Sequence, residues 1–441
     1  MSLRSFVRFL GTTAWGGAVL VVAVALILRL AFAVWYVGVN EVKHASVPWF
    51  PEGLPTHRIL DPDGYTRRAL EMISGEPYVE TGRQPLVPAY HALILLVFGE
   101  HPTLLYNRLS DAVMSALTCG VFYLLARRMF GQTTGLVAGL LAATSINMIH
   151  KSGYIYSEAL GIPLYTLALY FFVAFADDRR WRQLVLGGAF LGLATLARQT
   201  TYPMMFLLPI WLWVVYGKIN RPMLVRSAVV FLVAAGIILP WAVHISLANK
   251  RFMPVSDTPW KLLCECYGPA QFEGPLGDPR GTWVPRESCG LFTEEEVAEL
   301  DKMGLEREDV CKRRFLEYLP TMWTRIPELM LCRAIVFIGP TARPGLSVHV
   351  FEAQQTVLFA LFVGGLWVSR AQWRRFFILY LAYFCFGVLM ILVFYGNARN
   401  RLYSDPMIMV FAAAYLVWLV EKLRSRRLRK RERAASPQGA S

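Results

Sequence analysis

Residues 14–37, AWGGAVLVVAVALILRLAFAVWYV, form an almost unbroken apolar run with Arg29 as its single charge. About 20 such residues cross the ~30 Å hydrocarbon core of a bilayer as a helix. In lipid each backbone polar group must be satisfied internally, so only helices or closed barrels span it. The run exceeds the roughly 7–15 apolar residues of a signal-peptide core and is read as a retained first span. Further spans are expected at 104–126, 132–150, 157–176, 183–200, 201–217, 227–246, 350–369, 375–395 and 405–420. Composition agrees, with 55% hydrophobic and 17% charged residues, against roughly 25% charged in soluble chains. The fold class expected is an all-α polytopic membrane protein of about ten spans.

The net charge of +14 could suggest a nucleic-acid partner, but eight of the cations sit in the tail stretch EKLRSRRLRKRER. Basic residues flanking spans mark the cytoplasmic side and its anionic leaflet, and no nucleic-acid motif accompanies them. With the N-terminus inside, the inner connections ARRMFG, DDRRWR, GKINRPMLVR and SRAQWRR are all rich in Arg or Lys. The outer ones, HKSGYIYSE, ARQTTYP and YGNARNRLY, carry fewer cations. Both termini are therefore expected in the cytoplasm, in a bacterial inner or other plasma membrane.

The expected organisation is a transmembrane module at 1–246 with a first outside loop at 38–103, then a second outside region at 247–349. C-terminal spans at 350–420 and a basic cytoplasmic tail at 421–441 complete it. The segments PLVPAYHALILLVFG and IPELMLCRAIVFIGP are too short for full spans and read as interfacial helices. FTEEEVAELDKMGL reads as a helix capped by Thr293. Cys264, Cys266, Cys289 and Cys311 share the second loop, which allows disulfides of unknown connectivity. A zinc site on these four is disfavoured by the lack of paired CxxC knuckles.

On this topology Asp61, Asp63, Arg83, Lys151, Glu158, Arg198, Arg399 and Arg401 come from five connections to one membrane face. Charges beside spans are costly and usually point into a shared cavity. Arginines suit a phosphate, which a guanidinium holds bidentately, and a nearby carboxylate can take a proton or hold a metal. A phosphate-headed substrate at a membrane face suggests a lipid-linked sugar donor, whose phosphate leaves readily once its charge is matched. Blander roles compete at every position: a helix cap for Asp61 and Glu158, an Asp-Gly turn for Asp63, snorkelling for the arginines. Tyr65, Tyr154 and Tyr156 suit either sugar stacking or an aromatic belt, and His91 and His150 read as interfacial polar residues. Arg29 faces either the bundle or the outer interface.

Five stretches in order resemble the GT-C membrane glycosyltransferases, in the branch of the protein O-mannosyltransferases and the lipid A aminoarabinose transferase. They are DPDGYTRRALEM, GRQPLVPAYHALILL, YIYSEALGIPLYTLALYFF, LATLARQTTY and NARNRLYSDPMIMVFAAAYL. The resemblance covers about 1–245 well and 375–420 loosely. It implies a GT-C-type helical bundle and a polyprenyl-phosphate sugar donor. The reaction implied is inverting transfer to an acceptor hydroxyl of a lipid, glycan or protein on the extracytoplasmic face. On it, Asp61 matches the catalytic base and Glu158 a carboxylate near the acceptor or metal. Arg83, Arg198 and Arg401 match donor-phosphate contacts, to which proximity adds Lys151 and Arg399. Asp63 and Tyr65 would touch substrate. Pro62 stands where family members carry Glu, and the resulting DPD leaves open a divalent ion held by Asp61, Asp63 and Glu158. The rival function is a transporter or flippase of a lipid-linked sugar, which would favour inverted repeats that the sequence lacks.

Overall fold

The computed structural model describes residues 13–42, 61, 64–79, 82–100, 104–255, 259–273, 289–303, 307–338, 346–394 and 398–435. Asp63 lies outside them. The described residues form helices and no strand. By length and composition five helices among the described residues can cross a membrane: Trp15–Trp35 within Ala14–Val42, Leu105–Phe130, Glu158–Asp178, Arg221–Ala248, and Asp405–Lys430 within Asp405–Ala435. Shorter apolar helices lie among them, including Gln132–Ala143 and Trp181–Ala197. This is a polytopic all-α membrane protein.

Neighbouring helices pair along the chain. Leu105–Phe130 packs on both Ala14–Val42 and Gln132–Ala143, and Trp181–Ala197 packs between Glu158–Asp178 and Arg221–Ala248. The last pair carries a small-residue seam. A Cβ on Gly188 would lie 2.9 Å from the Val230 carbonyl oxygen, and one on Gly192 2.9 Å from that of Ala234. In lipid, where apolar burial does not drive helices together, such close backbone approach supplies the packing. Large aromatics fill the interior: Phe172 and Phe175 meet Trp211 at centroid distances of 5.1 and 5.7 Å, all three buried.

Several expected boundaries change. The single span expected at 132–150 is two helices, Gln132–Ala143 and Ile146–Lys151, the second capped by the Ser145 side chain. A break inside an apolar bundle strands carbonyls, and Arg29 answers them. Its guanidinium donates to the carbonyls of Ala142 and Ala143 at 3.2 Å, to Ala25 O at 3.2 Å and to Ser115 Oγ at 2.7 Å. Arg29 thus faces the bundle, and a buried cation terminates a helix from another part of the chain. The span expected at 375–395 runs as Phe377–Tyr383, a π-helical turn at Phe384–Leu389, and Met390–Val393. The basic stretch after 420 is no separate tail at first, because the Asp405 helix continues to Ala435. The junction near 200 is a short 3-10 turn, Gln199–Thr201, between Trp181–Ala197 and Met204–Tyr216.

Both segments expected to be shorter than a span form 13-residue helices, Leu86–Phe98 and Ile326–Ile338. At 1.5 Å per residue each is about 20 Å long, short of the ~30 Å core. Helices Pro259–Tyr267, Glu294–Lys302 and Arg307–Met322 share a second core with Phe272, Phe292 and Phe315. Thr293 closes a capping box with Glu296 at bonds of 3.2 and 3.0 Å. Glu308 accepts from the amides of Trp260 and Lys261, at 3.0 and 3.2 Å, and so caps the first of these helices. The unit docks on the late helices through Tyr267, whose hydroxyl donates to Leu392 O, and Arg333, which donates to Cys266 O and, at 3.2 Å, to Ile391 O.

Candidate functional site

The site lies at the N-terminal end of the Glu158–Asp178 helix. Tyr65, Val87, Leu104, Ile155 and Ala197 pack into one small cluster there. This cluster joins the first-loop helix Tyr65–Ser74 to the loop before Glu158 and to the end of the helix before Arg198. Four expected site segments, far apart in sequence, therefore meet.

Asp61 is buried just before Tyr65–Ser74. Its Oδ1 accepts from the Tyr65 amide at 2.8 Å and its Oδ2 from the Thr66 amide at 2.6 Å. These amides belong to the first turn, where the helix has no internal partners for them, so the carboxylate caps the helix. The cap also fixes the orientation of the carboxylate. Arg83 has its guanidinium 6.0 Å from the Tyr65 ring centroid, while its backbone carbonyl accepts from Tyr78 Oη at 3.2 Å.

Glu158 is buried and is the focus of the cations. Arg198 donates to its Oε1, and Arg399 reaches Oε1 at 2.6 Å with Nε and Oε2 at 3.2 Å with Nη2. Ser157 adds a bond of 3.3 Å. Arg198 is further held by Asn400 Oδ1 at 2.8 Å and lies 5.6 Å from the Tyr403 ring centroid. Arg399 stands 3.9 Å from the Tyr156 centroid, and Lys151 Nζ is 5.5 Å from the same ring. Tyr154 stacks on Tyr156 at 5.6 Å. Lys151 and Glu158 both line a cavity with Ser115, Thr118, Met148 and Ser152. At about 20 Å³ it has the space of roughly one water, a narrow and largely apolar crevice rather than a sugar pocket.

Arg401 has a different setting from Arg399, two residues away. It is 2% exposed and donates to Phe337 O at 2.7 Å. With the Gln355 amide turned oxygen-first it also donates there at 2.7 and 3.2 Å. Its recorded bonds close a helix end, as those of Arg29 do.

Among the described residues no group of three His, Cys, Asp or Glu side chains is placed to hold a metal. The Asp61 oxygens are engaged by amides and those of Glu158 by two guanidiniums. Asp63, the third member of the expected metal set, lies outside the described residues. The four loop cysteines likewise make no zinc cluster among the described residues.

Asp111 escaped the sequence reading. It sits in the Leu105–Phe130 helix, fully buried, with His91 Nε2 3.8 Å from its Oδ1. His91 is in turn held by Asn107 Nδ2 at 3.1 Å. The charges of Asp61 and Glu158 both act on Asp111, so it belongs to the same acidic neighbourhood. A lone acid inside a span was the available signal, since intramembrane ionisable groups are rarely incidental.

Residues 82–246 match the family model of dolichyl-phosphate-mannose-protein mannosyltransferases. That stretch holds Arg83, Lys151, Glu158 and Arg198. No curated protein matches the chain in sequence. Among solved structures, the oligosaccharyltransferase of Archaeoglobus fulgidus in its apo form superposes with a TM-score of 0.54 and 16% identity, over 96% of this chain and 53% of that one. The same enzyme, AglB, in complex with an inhibitory peptide and a dolichol-phosphate gives 0.53 and 16%, over 96% and 52%. ArnT of Cupriavidus metallidurans bound to undecaprenyl phosphate gives 0.41 and 17%, over 92% and 77%. The chain spans about half the length of the oligosaccharyltransferase, and at 16% identity the likeness is one of fold. The chain therefore shares the fold of the oligosaccharyltransferase, and its residues 82–246 match the mannosyltransferase family model.

Proposed function

We propose that the protein transfers a sugar from a polyprenyl-phosphate donor to an acceptor hydroxyl, with inversion, on the extracytoplasmic face of the membrane. The observation that carries this reading is the gathering of Arg198, Arg399 and Lys151 round Glu158 and Tyr156, beside the loop that holds Asp61. Three cations round one carboxylate leave positive charge for an anion, and planar guanidiniums match phosphate oxygens. Arg83 would extend the set from the first loop.

In the reaction the acceptor oxygen attacks the anomeric carbon as the bond from that carbon to the phosphate oxygen breaks. The polyprenyl phosphate departs as an anion into the arginine set, and the hydroxyl proton passes to Asp61. The two amides on Asp61 aim it, which suits a step where the proton moves as the new bond forms.

The test is transfer of label from radiolabelled polyprenyl-phosphate mannose or arabinose to membrane glycolipid or glycoprotein. Asp61→Asn should lower turnover by about 10²–10⁴-fold, the range for removing a general base. Wild-type turnover in that variant removes the assigned base. Donor crossing liposome membranes without any sugar transfer removes the reading itself.

A further inference from the structure

We propose that Cys264 and Cys311 are joined by a disulfide in the mature protein, closing the unit that carries the docking contacts to the late helices. The two residues are 47 apart in the chain, on helices Pro259–Tyr267 and Arg307–Met322, which pack directly on one another. Both are completely buried in one small core. The Cys264 Sγ donates to the Cys311 carbonyl oxygen at 3.3 Å. The Cys311 side chain, together with burial, pushes the Cys264 thiol up.

Two other cysteines share this core and are the rivals. Cys289 also acts electrostatically on Cys264, but its backbone is engaged elsewhere: its carbonyl accepts from Ala270 at 3.2 Å, against the turn at Gly268. Cys266 is two residues along the same helix, and Arg333 binds its carbonyl. Of the four, Cys264 and Cys311 are the pair linked across two packed helices by a bond from the Cys264 sulfur.

Bond formation is a two-electron oxidation. The Cys264 and Cys311 thiols each give up a proton and together two electrons, and the disulfide of a thiol–disulfide exchange protein is reduced to its dithiol. Such partners act outside the cytoplasm, so the bond also reports the side of the membrane on which the unit lies. Its consequence reaches the site. The unit holds Leu392 and Ile391 through Tyr267 and Arg333, a few residues before Arg399. The bond would fix the support from which Arg399 reaches Glu158.

The inference does not depend on the sugar-transfer reading. The full-length protein is taken from membranes with free thiols blocked by N-ethylmaleimide at lysis, digested without reductant and analysed by mass spectrometry. The expected result is a cross-link between the peptides containing Cys264 and Cys311, with Cys289 alkylated. Cys264 and Cys266 share a tryptic peptide, so single variants assign the sulfur. Cys264→Ser should make Cys311 alkylatable and Cys266→Ser should not. Quantitative alkylation of Cys264 and Cys311 in wild type overturns the proposal. So does a cross-link from Cys311 to Cys289 or one that survives Cys264→Ser.

Discussion

At the scale of single residues, the buried charges divide into two kinds. Arg29 and Arg401 serve carbonyls at helix ends, whereas Arg198 and Arg399 serve a carboxylate at the mouth of the bundle. Sequence alone does not separate the kinds, because Arg399 and Arg401 share one motif and differ only in which helix face they leave. Arg29 was equally ambiguous, since its partners at Ala142 and Ala143 lie over a hundred residues away. Arg29→Leu should cost about 1–3 kcal/mol for each carbonyl left without a donor. Thermal unfolding in detergent checks this, and an unchanged midpoint contradicts the capping role. Glu158→Gln leaves two guanidiniums without their counter-charge, and breaking a buried pair costs about 3–5 kcal/mol. That variant should lose both stability and transfer. If stability falls while transfer persists, Glu158 is a structural partner only.

At the scale of elements, most spans could be read directly, because apolar length decides whether a segment crosses a membrane. Helices found at Leu105–Phe130 and Arg221–Ala248 bracket the expected 104–126 and 227–246 closely. The break at Thr144 and Ser145 could not be read. Neither residue forbids a helix, and the break depends on Arg29 arriving from elsewhere. The π-helical turn at Phe384–Leu389 has no signature in FCFGVL either. The glycine seam was present in the sequence as Gly188 and Gly192 but went unread, since spacing alone does not name the partner helix. Gly192→Leu should splay Trp181–Ala197 from Arg221–Ala248 and sharply reduce the yield of monodisperse protein. Gly236→Ala is the control. A Cβ there meets nothing within 4 Å, and Ala in a helix is worth about 0.5–1 kcal/mol over Gly. Equal behaviour of the two variants would argue against the seam.

For the whole molecule, the bundle has two chemically different ends. Arg128 meets Asp177 at 2.9 Å and Asp178 at 2.8 Å, and Arg375 meets Asp177 at 2.7 Å. Glu158 lies at the other end of the same helix, about 30 Å away at 1.5 Å per residue. We propose, from the charge pattern of the connections, that the Arg128 end lies in the cytoplasm and the Glu158 end outside. A protease site inserted within 274–288 should then be cut from outside intact cells, and one placed after Ser441 only after permeabilisation. Cleavage of both from one side contradicts this orientation. The convergence of Asp61 with Glu158 and Arg198 was legible from topology, which brought their loops to one face. The partner of each side chain was not, because that depends on packing across the Tyr65–Ile155–Ala197 cluster. The central claim is sugar transfer from a lipid phosphate at this face. Membranes bearing the wild-type protein or Asp61→Asn, at equal abundance, are incubated with radiolabelled polyprenyl-phosphate sugars. Label should leave the donor as polyprenyl phosphate accumulates in wild type alone, and equal release by the two proteins would contradict the account.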